Sequence, residues 1–231
     1  MKPLYLEMNL GLGDAIICNG LVRSLAQRKP GCAPREVVVP CWAHNRPTVV
    51  HMFSDLPNVR VVSPINGDGP VPAGHSGYEI LSISVNNPRF GSVEPWDASF
   101  YEFAKVPFDE KWRLFHVPDS ASRIDPKTVQ RPFAVIHDDQ WRGFEIDYAR
   151  TSLLGGDLWF VPVNKVRAPL LTDWRDLIHD AAEVHCIDSS VLHLAELLPT
   201  TGKLFYHKYA RAKGSRMRAD ATLRKAWTVL E

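Results

Sequence analysis

The chain has little of what would mark a membrane, secreted or polyanion-coating protein. Its four cysteines, Cys18, Cys32, Cys41 and Cys186, are scattered, and none forms a CxxC pair. Neither a disulfide framework nor a thiolate metal site is expected from them. Cys18 and Cys186, each within an apolar stretch, read as small buried hydrophobes. No uninterrupted apolar run reaches membrane-spanning length. The first residues lack the charged and apolar regions of a signal peptide, so the expectation is a cytoplasmic protein, of a cell or of the host cell of a virus. There is no low-complexity tract and no short repeat. The net charge is only +1, which argues against a general polyanion binder. What remains is an ordinary globular composition, 45% hydrophobic and 23% charged over 231 residues, enough for one large domain or two small ones. One asymmetry needs a reason: between Lys203 and Lys225 lie eight basic residues against a single acid, Asp220.

The apolar pattern alternates between strands and helices. Leu4–Met8 reads as a strand, and Ala15–Arg28 as a helix with Ile16, Ile17, Leu21 and Leu25 on one face. Glu36–Pro40 follows as a strand buried on both faces, because it does not alternate. A short helix over Asn45–Leu56 and a strand over Val59–Val62 complete β-α-β-α-β, the first half of a doubly wound sheet with right-handed crossovers. Tyr78–Ile83 reads as a further strand, Ala98–Ala104 as a short aromatic helix, and Leu114–Pro118 as a strand or bridge. The polar stretch Asp119–Arg131 marks a boundary, giving an N-terminal domain over 1–125 and a C-terminal one over 126–231. The second half repeats the theme: strands at Phe133–His137, Leu158–Val163, Val184–Ile187 and Lys203–His207, helices at Asp173–Glu183 and Val191–Leu198, and a terminal helix over Arg224–Leu230. The fold class is therefore α/β, with two small Rossmann-like β/α domains facing a cleft.

Two strand-to-helix turns carry chemistry. The first is Asn9-Leu10-Gly11-Leu12-Gly13-Asp14. Gly11 and Gly13 let backbone approach a ligand closely, and a helix start offers free N–H groups to an anion. Asp14 is either a first-turn carboxylate that favours the helix or a reactive carboxylate beside the ligand. The full G-x-G-x-x-G pattern of a dinucleotide site is absent, since Ile16 stands where the third glycine belongs. The second turn is Asp188-Ser189-Ser190 with His193, hydroxyls and helix amides suited to a phosphate or diphosphate. The loop Asp138–Gly143, directly after a strand, carries Arg142, and reads equally as a ligand loop or a turn with an exposed ion pair. Lys208 and Arg211, just after the last clear strand, either add cationic charge there or belong to a solvated basic tail. His137 and His185 read as structural, and Trp141, Phe144, Tyr148 and Trp159 as core packing before base stacking.

Leu10-Gly11-Leu12-Gly13-Asp14-Ala15 before an apolar helix resembles the opening of the ADP-heptose:lipopolysaccharide heptosyltransferases (glycosyltransferase family nine), and Ile187-Asp188-Ser189-Ser190-Val191-Leu192-His193-Leu194-Ala195 resembles their second signature. The resemblance implies a GT-B fold and a metal-independent transfer of a sugar from a nucleotide-diphosphate sugar to a hydroxyl acceptor. It implies Asp14 as the general base and Gly13 as the point of close approach. It assigns Asp188, Ser189, Ser190 and His193 to the donor diphosphate, with Arg142 near the leaving phosphates. No cofactor is implied beyond the nucleotide sugar as co-substrate. This chain is shorter than is usual in that family, and Asp138-Asp139 and His207–Arg211 match none of its features.

Three alternatives frame the function. The acceptor is a surface glycan, or a hydroxymethylated base in phage-type DNA tracked by the basic C-terminal segment; the near-neutral charge favours the glycan. The third is a non-catalytic nucleotide- or sugar-binding protein that keeps the same cleft.

Overall fold

The computed structural model describes residues 2–9, 11–27, 34–63, 77–84, 87, 95–151, 158–163, 168–211 and 222–231. The chain divides into two contiguous units, Met1–Asp119 and Ser120–Glu231. That boundary lies six residues before the one expected at 125/126.

The first unit holds a four-stranded parallel sheet made of β1 (Leu4–Glu7), β2 (Val37–Pro40), β3 (Val59–Val62) and β4 (Glu79–Ser82), in the order β3-β2-β1-β4. β2 is buried throughout, as its unbroken apolar run requires, whereas β4 is an edge strand and largely accessible. The helices are α1 (Leu12–Ile17), α2 (Asn19–Ala26), α3 (Arg46–Met52), α4 (Ala98–Ala104) and α5 (Glu110–Arg113).

The single helix expected over Ala15–Arg28 is broken at Cys18, whose backbone flattens to φ −82° and ψ 3°. The carbonyl of Ile17 at the break accepts a 2.7 Å hydrogen bond from the buried Tyr101 hydroxyl on α4. The strand expected over Leu114–Pro118 is absent. The Asn19 side-chain amide takes the place of a partner strand there: its Oδ1 accepts the His116 amide and its Nδ2 donates to the His116 carbonyl, both at 3.1 Å. With those groups satisfied by a side chain, the segment runs beside α2 without joining a sheet. Arg23, on the same helix, is buried and clamps both oxygens of Asp55 at 2.8 Å. Deeper still, Lys111 on α5 forms a 2.6 Å ion pair with Asp97, and neither side chain is more than 1% exposed.

The second unit holds a five-stranded parallel sheet of β5 (Phe133–His137), β6 (Trp159–Pro162), β7 (Glu183–Cys186), β8 (Lys203–His207) and β9 (Trp227–Leu230), ordered β6-β5-β7-β8-β9. Its helices are α6 (Arg175–Asp180) and α7 (Ser190–Leu197), the latter burying Val191, Leu192, Leu194 and Ala195. Glu183, expected at the end of a helix, instead opens β7.

The terminal helix expected over Arg224–Leu230 is also absent. Trp227-Thr228-Val229-Leu230 is rich in aromatic and β-branched residues and pairs in parallel with Leu204–His207. The residues before it close α7: Lys225 Nζ donates to the carbonyls of Ala195 and Leu198 and to Thr200 Oγ1, and Trp227 Nε1 donates to Glu196 at 2.8 Å. This segment belongs wholly to the second unit.

One glycine decides how α2 and α5 meet. A Cβ placed on Gly20 would lie 2.0 Å from the backbone oxygen of Glu110, with no flexible side chain to yield. Gly20→Ala is expected to cost about 2–3 kcal/mol by forcing the two helices apart. Urea titration checks this, and a variant as stable as the parent would exclude so close a packing.

Candidate functional site

In a parallel sheet, ligands collect beyond the carboxyl ends of the strands at the point where the winding reverses. For the first unit that point lies between β1 and β4, and for the second between β5 and β7. The two turns singled out in the sequence, and the loop after β5, occupy these points.

In the first unit, the chain leaves β1 and enters α1 through Gly11, the N-cap residue. Asp14 sits at the third helical position and folds back towards Gly11, its Oδ1 accepting a hydrogen bond from Asn9 Nδ2 at 3.3 Å. A Cβ on Gly11 would lie 2.6 Å from Asp14 Oδ2, so the bare glycine is what admits the carboxylate. Burial pushes the Asp14 carboxyl up to about 6, against the opposing pull of the Asn9 amide and the nearby backbone N–H groups. Gly13 lies within α1, half-buried beside it. Asp14 thus stands in the first turn of α1, where a carboxylate favours the helix start, and its burial raises its proton affinity. Asn9 is a partner that residue-by-residue reading did not assign.

In the second unit, the amide of Ile187 donates to the carbonyl of His137, so β5 and β7 deliver their ends side by side. There, Ser189 Oγ meets His137 Nδ1 at 3.0 Å. Ser189 is the N-cap residue of α7, yet its hydroxyl makes no capping bond, since it is engaged by the histidine. The N-terminal amides of α7 are left without that cap. Burial pulls His137 down to about 4, so its ring is neutral at physiological pH. Asp188 is 2% exposed, and its carbonyl accepts from Arg211 Nη1 at 2.5 Å. Ser190 opens α7 and is half-buried, whereas His193 is buried, not a surface residue of the helix. His137 is the satisfied strand-end histidine expected from the sequence, and the partner that satisfies it is Ser189, which the sequence could not show.

The basic candidates are engaged within the fold. Asp138–Gly143 forms a tight turn, with Asp139 and Phe144 exchanging backbone hydrogen bonds of 2.8 and 2.9 Å and Gly143 at φ +72°. Arg142 pairs with Asp139 at its exposed rim. Phe144 lies beneath two guanidinium groups, those of Arg142 at 5.6 Å and Arg211 at 5.4 Å from its centroid. Lys208 pairs with Glu231 at 2.8 Å. Of the aromatic set, Trp141 is fully exposed and Trp159 is 54% exposed, so neither is core, while Phe144 and Tyr148 pack against Ala134, Ile136, Ile146 and Ile187. Lys213, Arg216 and Arg218 lie outside the described residues. A cavity of about 470 Å³ lies on the α3–β3 face, lined by Glu36, Arg46, Val50, Phe53 and Arg60 among others, and touches neither turn. Among the described residues, no group of three or more His, Cys, Asp or Glu side chains is arranged to hold a metal ion.

Neither a family model nor a curated sequence matches the chain. Solved structures do. The bacterial iron-containing dodecameric glycosyltransferase TibC from enterotoxigenic E. coli H10407 is similar with a TM-score of 0.52 at 14% identity, over 88% of this chain and 58% of that one. The E. coli ADP-heptose lps heptosyltransferase II is similar with a TM-score of 0.51, also at 14% identity, over the whole of this chain and 90% of that one. This chain thus spans little more than half the length of TibC, and nearly all that of heptosyltransferase II. Two parallel α/β units in this order are the GT-B heptosyltransferase-like fold.

Proposed function

We propose that the chain is a glycosyltransferase that moves a sugar from a nucleotide-diphosphate sugar to a hydroxyl of a glycan acceptor, with Asp14 as the base. The observation that carries this reading is the Asp14 carboxylate itself. It sits just beyond the carboxyl end of β1, hydrogen-bonded to Asn9, with burial raising its proton affinity towards neutrality. The likeness to two glycosyltransferase structures supports it.

In the proposed reaction, Asp14 takes the proton of the acceptor hydroxyl as that oxygen attacks the anomeric carbon, and the nucleoside diphosphate leaves with the bonding pair. The amides at the start of α7, with Ser189 and Ser190, are the second unit's proposed place for a diphosphate. Arg142 adds to it only by opening its pair with Asp139. The transfer is proposed to need no metal, and full activity in EDTA checks that. TibC is described as iron-containing, so iron-supplemented protein is the matching control.

The glycan is favoured over a DNA base because three of the described basic residues in that segment are engaged within the fold. Lys208 pairs with Glu231, Arg211 binds the Asp188 carbonyl, and Lys225 closes α7. A panel of nucleotide sugars with glycan and hydroxymethylated-DNA acceptors, read by mass shift, tests the proposal. Turnover with none of them, alongside nucleotide binding, would leave a binding protein.

Three outcomes are expected around Asp14. The acid limb of kcat/KM lies near pH 6, because the base must be ionised, and Asp14→Asn lowers the rate by about 10²–10⁴-fold and removes the limb. Stability moves the other way. A carboxyl raised from 3.8 to about 6 binds more protons in the folded state, so its contribution falls as pH rises between those values. Asp14→Asn therefore gains on the parent through that window, by on the order of 1–2 kcal/mol after allowance for solvent screening, and the gain is flat above it. Urea melts at pH 4 and pH 7 read this directly.

Gly11→Ala separates the two roles. Its backbone at φ −67° tolerates alanine, and the atom displaced is the mobile end of Asp14. Stability is expected to hold within about 0.5 kcal/mol while activity drops at least tenfold. Equal loss of both would place Gly11 in the fold alone.

A further inference from the structure

Four side chains outside the two turns form a continuous line of hydrogen bonds through the second sheet. Glu183 Oε2 meets His185 Nε2 at 3.0 Å, and His185 Nδ1 meets His207 Nε2 at 3.0 Å. His207 Nδ1 meets the Tyr209 hydroxyl at 3.1 Å, and that oxygen accepts the Asp147 amide at 2.8 Å. Both histidines are fully buried, and Phe205 stacks on His185 with ring centroids 4.4 Å apart.

Counting hydrogens fixes the direction of the line. Burial lowers His185 below its ordinary value, so the ring is neutral at physiological pH and has one N–H. The Glu183 carboxylate only accepts, which puts that hydrogen on Nε2 and makes Nδ1 an acceptor. His207 must then donate from Nε2, and as a neutral ring with its one hydrogen there it accepts the Tyr209 O–H at Nδ1. The phenolic hydrogen is thereby committed inward, and the oxygen turns its lone pairs to the Asp147 amide. Every hydrogen in the line points towards Glu183.

Tyr209 stands in the turn Lys208–Arg211, which follows β8. This turn reaches several neighbours at once. Tyr209 holds Asp147, whose side chain accepts from Ala149 at 3.0 Å and shapes the next turn. Ala210 packs against the cluster that contains Ile146 and Ile187, with Phe144 and Tyr148 at its margin. Arg211 holds the Asp188 carbonyl and covers the Phe144 ring. The loop after β5 and the loop after β7 are therefore both tied to these four residues.

We propose that Tyr209 is a positioning residue for nucleoside diphosphate binding: aimed by Glu183, His185 and His207, it pins the Asp147 turn, and with it the segment carrying Phe144 and Arg142, beside the Asp188–Ser190 turn. The proposal rests on the reading of that turn as the donor site. Tyr209 does not act on the reacting atoms. Its hydroxyl sets where the loop after β5 lies, and removing it takes a protein partner from the solvent-facing Asp147 amide and from His207 Nδ1.

Tyr209→Phe deletes the hydroxyl and little else, and His207→Phe breaks the line one step further in. Two readouts are needed, hydrogen exchange at the Asp147 amide and affinity for ADP, UDP and GDP. Loss of one hydrogen bond of about 1.4 kcal/mol corresponds to roughly tenfold faster exchange at Asp147 and roughly tenfold weaker binding of the diphosphate that the parent binds best. KM for the donor should rise with kcat changed less than about twofold, the signature of lost positioning and not of lost chemistry. The double variant should be no worse than Tyr209→Phe, since both act through one line. Should His207→Phe fail to fold, Tyr209→Phe carries the test alone.

Unchanged exchange at Asp147 in Tyr209→Phe overturns the proposal, as does faster exchange with unaltered diphosphate affinity. If the parent binds none of the three diphosphates, the donor reading itself fails, and the positioning role falls with it. That result differs from the other two, in which the parent binds.

Discussion

The pairing of β5 with β7 is the constraint on which the chemistry of the second unit depends. These strands are neighbours in the sheet although β6 lies between them in the chain, so the winding reverses at their ends. The reversal brings His137 and Ser189, 52 residues apart, to hydrogen-bond distance. Because Ser189 then serves the histidine, α7 begins without the side-chain cap that its sequence offers. A helix start left in this state is a source of positive potential that costs the fold some stability and is available to an anion. One strand order thus sets both the place and the polarity of the candidate donor site.

The first unit handles the opposite charge. Asp14 is half-buried at a helix start where Asn9 is the one side chain that hydrogen-bonds it. That bond keeps it in place without fully offsetting the loss of water, and the residue is left with a proton affinity suited to a base near neutrality. A basic side chain at the same distance would stabilise the fold better and hold the carboxylate too firmly ionised to accept a proton readily. The break at Cys18 belongs to the same design, since Tyr101 holds the end of α1 through the Ile17 carbonyl and fixes the short helix that presents Asp14.

Much of this was legible in the order of the residues. Val59–Val62, Ala98–Ala104, Phe133–His137 and Lys203–His207 occupy the elements their patterns indicate, because a run of apolar residues between turn formers has few other ways to be buried. The two strand-to-helix turns were legible for the same reason. What was not legible depended on distant partners. The segment at His116 lacks a strand because of a side chain 97 positions earlier, and Tyr209 gains its role from an amide 62 positions earlier. The basic residues at 208, 211 and 225 can be counted in the sequence, but their partners cannot. The helix expected over Arg224–Leu230 failed on scale: four residues of aromatic and β-branched character take their conformation from β8, not from their own spacing.

That last strand has a consequence for how the polypeptide is divided. With β9 completing the second sheet, each unit is one uninterrupted length of chain, and the connection between them is made once, at Asp119–Ser120. A single proteolytic cut at that bond would sever the protein without opening either sheet. The halves of such a nicked protein, one with Asp14 and the other with Ser189, would each retain every described strand of their own sheet.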